Sequence, residues 1–131
     1  MPERTYSNFN PSNVSVPTTT ETAVIAVSGV TVPYAGATVT LTATFQLTSG
    51  TAATAVAVRF RRGSTTGDPL LGEANQISLP SAAGGTDSYT VQLVDTPPEL
   101  ANGSYCVTAQ QVAATGNGTV LTATIDAIVT W

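Results

Sequence analysis

The sequence predicts an all-β antiparallel sandwich or barrel, and three observations carry that reading. Apolar residues recur at every second position through most of the chain, the periodicity of a half-buried strand. No segment shows the amphipathic period of a helix, and Thr alone supplies 24 of the 131 residues, a β-branched excess suited to pleated surfaces. Gly, Pro and Asn clusters punctuate the alternating runs at spacings of roughly ten residues, as in sandwiches and barrels.

The first 22 residues, MPERTYSNFNPSNVSVPTTTET, hold three prolines, three asparagines and a Thr run without a sustained period. They are expected to form an extended N-terminal arm. Such an arm is either a disordered terminus or a segment that orders on a neighbouring subunit, with Tyr6, Phe9, Val14 and Val16 as anchors. The sandwich is expected over residues 23–131. Its first strand, Ala23 to Val32, carries a bulge signal at Ser28-Gly29 and ends in the turn Pro33-Tyr34-Ala35-Gly36. The second, Ala37 to Thr48, is the clearest: Val39, Leu41, Ala43, Phe45 and Leu47 share one face and Thr38, Thr40, Thr42, Thr44, Gln46 and Thr48 the other. Ala53 to Arg61 follows, with Val56, Val58 and Phe60 inward and Ala57, Arg59 and Arg61 outward.

Gly63 to Gly72 reads as a loop or short hairpin, Gln76 to Leu79 as a short strand and Pro80 to Asp87 as a connection. In the strand Ser88 to Asp95, Tyr89, Val91 and Leu93 are expected inward. Residues Thr96 to Gly103 turn the chain into Ser104 to Val112, where Tyr105, Val107 and Ala109 point inward and Cys106, Thr108 and Gln110 outward. Asn117-Gly118 is a strong hairpin signal leading into the last strand, Thr119 to Trp131. There Leu121, Ala123, Ile125, Ala127 and Val129 form one face, while Val120, Ile128 and Trp131 add apolar surface elsewhere. A strand apolar on both faces is covered on both, most simply by another copy of the chain.

Composition narrows function. The chain has no His and no Lys, four arginines and a single cysteine, Cys106. Without imidazole or lysine there is no Ser/His/Asp or Cys/His pair, no histidine metal ligand, no Schiff base and no Walker loop. A non-enzymatic role is expected, with no cofactor and no metal. The carboxylates Asp87, Asp95, Glu99 and Asp126 show no calcium-loop spacing, and a glycosidase-like pair is not visible. A net charge of −4 argues against nucleic acid, which is held by Lys and Arg. No apolar stretch approaches the ~20 residues of a membrane-spanning helix. The start lacks a signal segment and an intramolecular disulfide is impossible, so synthesis in a cytoplasm is expected. The sequons at Asn13, Asn102 and Asn117 read as turns. Charged residues make up only 9% of the chain, and depletion of charge marks surfaces that other chains cover.

The Pro/Asn-rich arm, GATVTLTATFQL, FRRGSTTGDPLLGE, the DTP turn, GSYCVTAQ and the closing TVLTATIDAIVTW together resemble small jelly-roll virion proteins of tailed bacteriophages over about residues 22 to 131. These are similar to the trimeric jelly rolls of the tumour-necrosis-factor and complement type. The resemblance implies an antiparallel jelly roll of about eight strands and a capsid decoration or cement protein. It implies a homotrimer on the capsid surface, bound to the major capsid protein by the arm and made in a bacterial cytoplasm. The alternative is a receptor- or carbohydrate-binding module of a head or tail fibre, for which Tyr34 is the one obvious loop aromatic; an immunoglobulin-like domain shares the strand count.

The residues expected at capsid or inter-subunit contacts are Tyr6, Phe9, Val14, Val16, Arg59, Arg61, Arg62, Ile128 and Trp131. For the three clustered arginines the competing reading is a solvated strand end balanced by acids such as Asp68 and Glu73, against bidentate pairing with carboxylates of a neighbour. Cys106 is expected as a small buried side chain, and Trp131 as buried at the base of a trimer or against the shell.

Overall fold

The computed structural model describes residues 2–16, 20–48, 54–79, 86–112 and 118–131, without the side chains of residues 54, 73, 74, 78 and 79. Among the described residues there are nine strands and no helix: β1 (Glu3–Asn10), β2 (Val14–Val16), β3 (Thr22–Val32), β4 (Thr38–Thr48), β5 (Thr54–Arg61), β6 (Leu70–Leu79), β7 (Thr86–Asp95), β8 (Leu100–Gln111) and β9 (Gly118–Thr130). They form two antiparallel sheets. The first has the order β1-β9-β4-β7, with β2 also on β9, and the second β3-β8-β5-β6. From β3 onward each strand's successor lies in the other sheet, except β5 to β6. This winding is the two-Greek-key order of a jelly roll.

Alternation explains the core. The inward residues of β4 and β9 meet in complementary sizes: Leu41 lies opposite Ala127, Ala43 opposite Ile125 and Phe45 opposite Ala123, all buried. Large against small fills the layer without voids. From the second sheet Val56, Val58, Phe60, Tyr105, Val107 and Ala109 close the same core.

Three local devices shape the strands. At Ser28-Gly29 the register between β3 and β8 slips by one residue, and Gly29 takes a φ of +73°, the bulge that the sequence predicts. Asn102 also has positive φ, at +60°, and sits inside β8. The Asn-Gly pair read as part of a turn is a second bulge, so β8 begins at Leu100 rather than Ser104. A further bulge skips Leu121: Gln46 faces Thr122, but Leu47 faces Val120. Val120 is therefore the buried residue and Leu121 the half-exposed one, the reverse of the expectation from simple alternation.

The largest correction concerns the first 22 residues. The described ones are extended, but β1 pairs along its whole length with β9, from Glu3 opposite Thr130 to Asn10 opposite Ala123, and β2 adds Val14 opposite Val120. The sandwich thus begins at Glu3 and not at residue 23, and the stretch expected to clasp a neighbour is a strand of its own sheet. β6 also runs from Leu70, longer than the short strand predicted at residues 76–79. Asn117 of the predicted hairpin, Ala53 and the connection from Pro80 to Gly85 lie outside the described residues.

Removing residues 1–10 should accordingly destabilise the whole sandwich. Eight residues of ladder on β9, about eight hydrogen bonds at about 0.5–1.5 kcal/mol net each, predict a loss of about 4 kcal/mol or more in chemical unfolding. An unchanged unfolding midpoint would show that β1 is dispensable.

Candidate functional site

The two outer faces of the sandwich differ. On the second sheet, Arg59 and Arg61 of β5 lie beside Cys106, Thr108 and Gln110 of β8. Period-two alternation predicts these β8 residues outward, and they do leave the core; yet Cys106 and Thr108 are fully buried, because the chain folds over them. Glu21, just before β3, places its carboxylate above β8. It accepts a bond from the Thr108 hydroxyl at 2.6 Å and a bidentate pair from Arg61, with Nε to Oε2 at 2.6 Å and Nη2 to Oε1 at 2.8 Å. Arg59 stands 3.7 Å from the same carboxylate and donates to the Gln110 side-chain oxygen at 3.1 Å. Arg61 also donates to the Asp68 carbonyl at 2.7 Å, which ties the loop after β5 down on the sheet.

That loop is built around the Asp68 carboxylate, which accepts bonds from the Ser64 and Thr65 amides and the Thr65 hydroxyl, each at 2.9 Å. Gly63 has a φ of +145° and passes so close to Asp68 that a Cβ there would clash with the Asp68 side chain, so glycine is the residue that fits. Cys106 lies beneath the loop, its Sγ 4.0 Å from the Thr65 carbonyl. Burial pushes its thiol up to about 11, which keeps it protonated and unreactive at neutral pH.

The third arginine serves a second cluster. Arg62 holds Asp95 in a bidentate pair at 3.0 and 2.8 Å, and the fully buried Tyr105 donates its hydroxyl to Asp95 Oδ2 at 2.8 Å. Burial, reinforced by that bond, raises the Tyr105 hydroxyl well above its usual range, so it remains a donor. The pair raises the Arg62 guanidinium too. This is an anchor between β5, β7 and β8.

All three clustered arginines are thus engaged by acids of their own chain, Glu21 and Asp95. The partners named from sequence were different: Asp68 meets Arg61 through its carbonyl, and the Glu73 side chain lies outside the described residues. Glu21 is 40 residues from Arg61 and 87 from Thr108; its only sequence signal was its place before the first alternating strand.

The edge between the sheets is closed by β1. Its inward residues are polar because they reach the free edge of β3. The Asn8 amide donates to the Ala26 carbonyl at 2.8 Å and the Asn10 amide to the Val24 carbonyl at 3.3 Å. The Thr31 amide donates to the Tyr6 hydroxyl at 3.3 Å. Burial opposes it, but this amide and the guanidinium of Arg4 hold the Tyr6 hydroxyl below its usual value. Val16 is buried and Val14 packs on the core. Trp131 packs on the core as well, its amide donating to the Pro2 carbonyl at 3.1 Å.

On the first sheet the outer face is open. β4 presents Thr40, Thr42, Thr44 and Gln46, flanked by Thr90, Gln92 and Val94 of β7 and by Thr124, Asp126 and Ile128 of β9, with Thr5, Ser7 and Phe9 of β1 beyond. The rows are cross-linked: Thr44 and Thr90 hydroxyls lie 3.2 Å apart, Gln92 donates to the Thr42 hydroxyl at 3.1 Å, and Thr124 donates to the Thr44 carbonyl at 3.4 Å. Of the residues singled out from sequence for contacts, Phe9 and Ile128 lie on this face; Phe9 is 56% exposed. Among the described residues no three His, Cys, Asp or Glu side chains come together to hold a metal.

No family model and no curated protein sequence matches the chain. Solved structures do. A chain in the structure of the Gx strain of infectious bursal disease virus superposes with a TM-score of 0.63 at 7% identity, over 98% of this chain and 32% of the viral one. The VP2 subviral particle of the same virus gives 0.65 at 8% identity, over 97% and 32%. The T13 particle of that virus gives 0.56 at 10% identity, over 96% and 35%. This chain therefore spans about a third of the viral chains it matches, and the likeness is one of fold: its β-sandwich is of a kind found in virus particles.

The Glu21 clamp has a pH signature. Arg61, against the opposing effect of burial, holds the Glu21 carboxyl below its ordinary 4.5. The unfolded chain then binds protons first, so the clamp stabilises fully above about that pH and is lost as pH falls through the lower folded value. Asp68, lowered by its Thr65 bonds, acts in the same sense. Glu21→Gln should cost about 1–3 kcal/mol at pH 7 and flatten the acid limb of the urea midpoint against pH. Equal stability of the two proteins at pH 7 would remove the clamp from the account.

Proposed function

We propose that the chain is a non-enzymatic structural protein of a bacteriophage virion, which decorates and stabilises the capsid surface as a homotrimer bound to the major capsid protein. The observation that carries this reading is the outer face of the first sheet. Four strands about 4.8 Å apart and about ten residues long make a face of roughly 600 Å², the same order as the ~800 Å² each partner gives to a standard interface. Among its described residues this face presents no arginine, and its carboxylates are Glu3 at one end and Asp126. Hydroxyl rows already bonded to one another lose little entropy on being covered, and Phe9, Ile128 and Val94 supply apolar anchors. The second sheet's outer face, covered by Glu21 and the loop after β5, is left out of assembly.

The fold found in particles of infectious bursal disease virus supports a virion setting. With β1 engaged on β9, the contact with the shell falls to the surface of the assembled sandwich rather than to a free arm. The role is mechanical: a rigid sandwich bridging adjacent capsid subunits adds buried area that resists expansion of the shell.

Mixing the purified chain with undecorated capsids of the encoding phage and pelleting them tests this. The wild-type protein should pellet with the capsids. A Thr42→Arg, Thr124→Arg double variant, charged at the middle of the open face, should stay in the supernatant while its circular dichroism and unfolding midpoint are unchanged. Pelleting of the variant as efficiently as the wild type would exclude this face, and failure of both to pellet would exclude capsid decoration.

A further inference from the structure

One site remains outside this role. Where β1 starts, Arg4, Tyr6, Thr31, Pro33 and Trp131 line an open cavity of about 190 Å³. Its chemistry is unlike the rest of the surface. Of the four arginines, Arg59, Arg61 and Arg62 are paired with carboxylates, and among the described residues Arg4 has no such partner. The only tryptophan of the chain and the Tyr6 ring supply aromatic surface. Tyr6 is fixed by the bond from the Thr31 amide and Trp131 by its bond to Pro2, so the cavity is held open by backbone anchors.

We propose that this cavity binds one acidic sugar unit, a uronic or sialic acid residue of a glycan. A cavity of this size lies below the ~300 Å³ at which pockets for drug-sized ligands begin, and suits a single pyranose. Aromatic rings bind the apolar C–H face of a sugar ring through dispersion and burial. The Arg4 guanidinium, which touches the Tyr6 hydroxyl but is paired with no carboxylate among the described residues, offers its remaining N–H groups to the sugar carboxylate. The Tyr6 and Thr31 hydroxyls provide hydrogen bonds for ring hydroxyls. The cavity opens at the edge between the sheets, away from the Thr-rich face, so this site and capsid binding are separable.

Trp131 is a built-in probe, because all tryptophan fluorescence of the chain arises at the cavity. The full chain is titrated with glucuronic acid, sialyllactose, neutral lactose, acetate, inorganic phosphate and a Glu-rich peptide. A saturable change with one of the acidic sugars at about millimolar affinity, about tenfold or more weaker for lactose, acetate and phosphate, is the expected result. Arg4→Gln should weaken the response at least about tenfold, and Arg4→Lys, which keeps the charge but loses the fork, by less. Circular dichroism confirms that both variants are folded, and the response of Arg4→Lys decides the matter should Arg4→Gln fail to fold. Equal response to lactose, equal response to phosphate or acetate, response to the peptide alone, or no saturation with either acidic sugar would each overturn the proposal. None of these outcomes bears on capsid pelleting, so the two readings fail independently.

Discussion

The structure depends on β9 being paired along both edges. β4 takes one edge for eleven positions and β1 and β2 share the other, so the strand is held in register from both sides. Its inward residues alternate Ala with Ile or Val, and the opposite alternation on β4 fits them. With both edges and the inner face occupied, the outer face is the one surface β9 has left to offer. An unpaired β9 edge would instead be a template for uncontrolled strand addition; β1 takes that edge and turns its Asn8 and Asn10 side chains to the carbonyls of β3.

Closing the sandwich this way leaves its two sheets with unequal outsides. The second sheet is finished by its own chain: the Glu21 carboxylate binds Arg61 and Thr108, and the Asp68 loop is drawn over Cys106. Three of the four arginines are spent inside the molecule on Glu21 and Asp95. Among the described residues the first sheet receives no such cover, and threonine rows stand where a solitary soluble domain would carry charges. The low charge of the sequence is therefore unevenly spread, and that unevenness separates a self-contained side from a side suited to contact.

Much of this was legible from residue order. β4, β5 and the inward set of β7 and β8 follow from period two, and Gly29 marks its bulge. The jelly roll itself came from resemblance, since strand count does not fix sheet order. β1 was hidden because neither of its faces is apolar: of its inward residues, Tyr6, Asn8 and Asn10 bond the edge of β3, and an edge needs amides and hydroxyls rather than aliphatics. Leu121 and Val120 were exchanged because a bulge inverts alternation without leaving a Gly or Pro to mark it. The partners of Arg59, Arg61 and Arg62 were out of reach because Glu21 and Asp95 arrive from distant strands. The cavity at Arg4 and Trp131 joins the two ends of the described chain, a juxtaposition that only the β1–β9 pairing creates.

Sedimentation equilibrium of the unmodified chain tests the central proposal most directly, that the sandwich acts as a homotrimer. Across micromolar concentrations the mass should be three times the 13.3 kDa of one chain. A mass of 13.3 kDa throughout that range would contradict it.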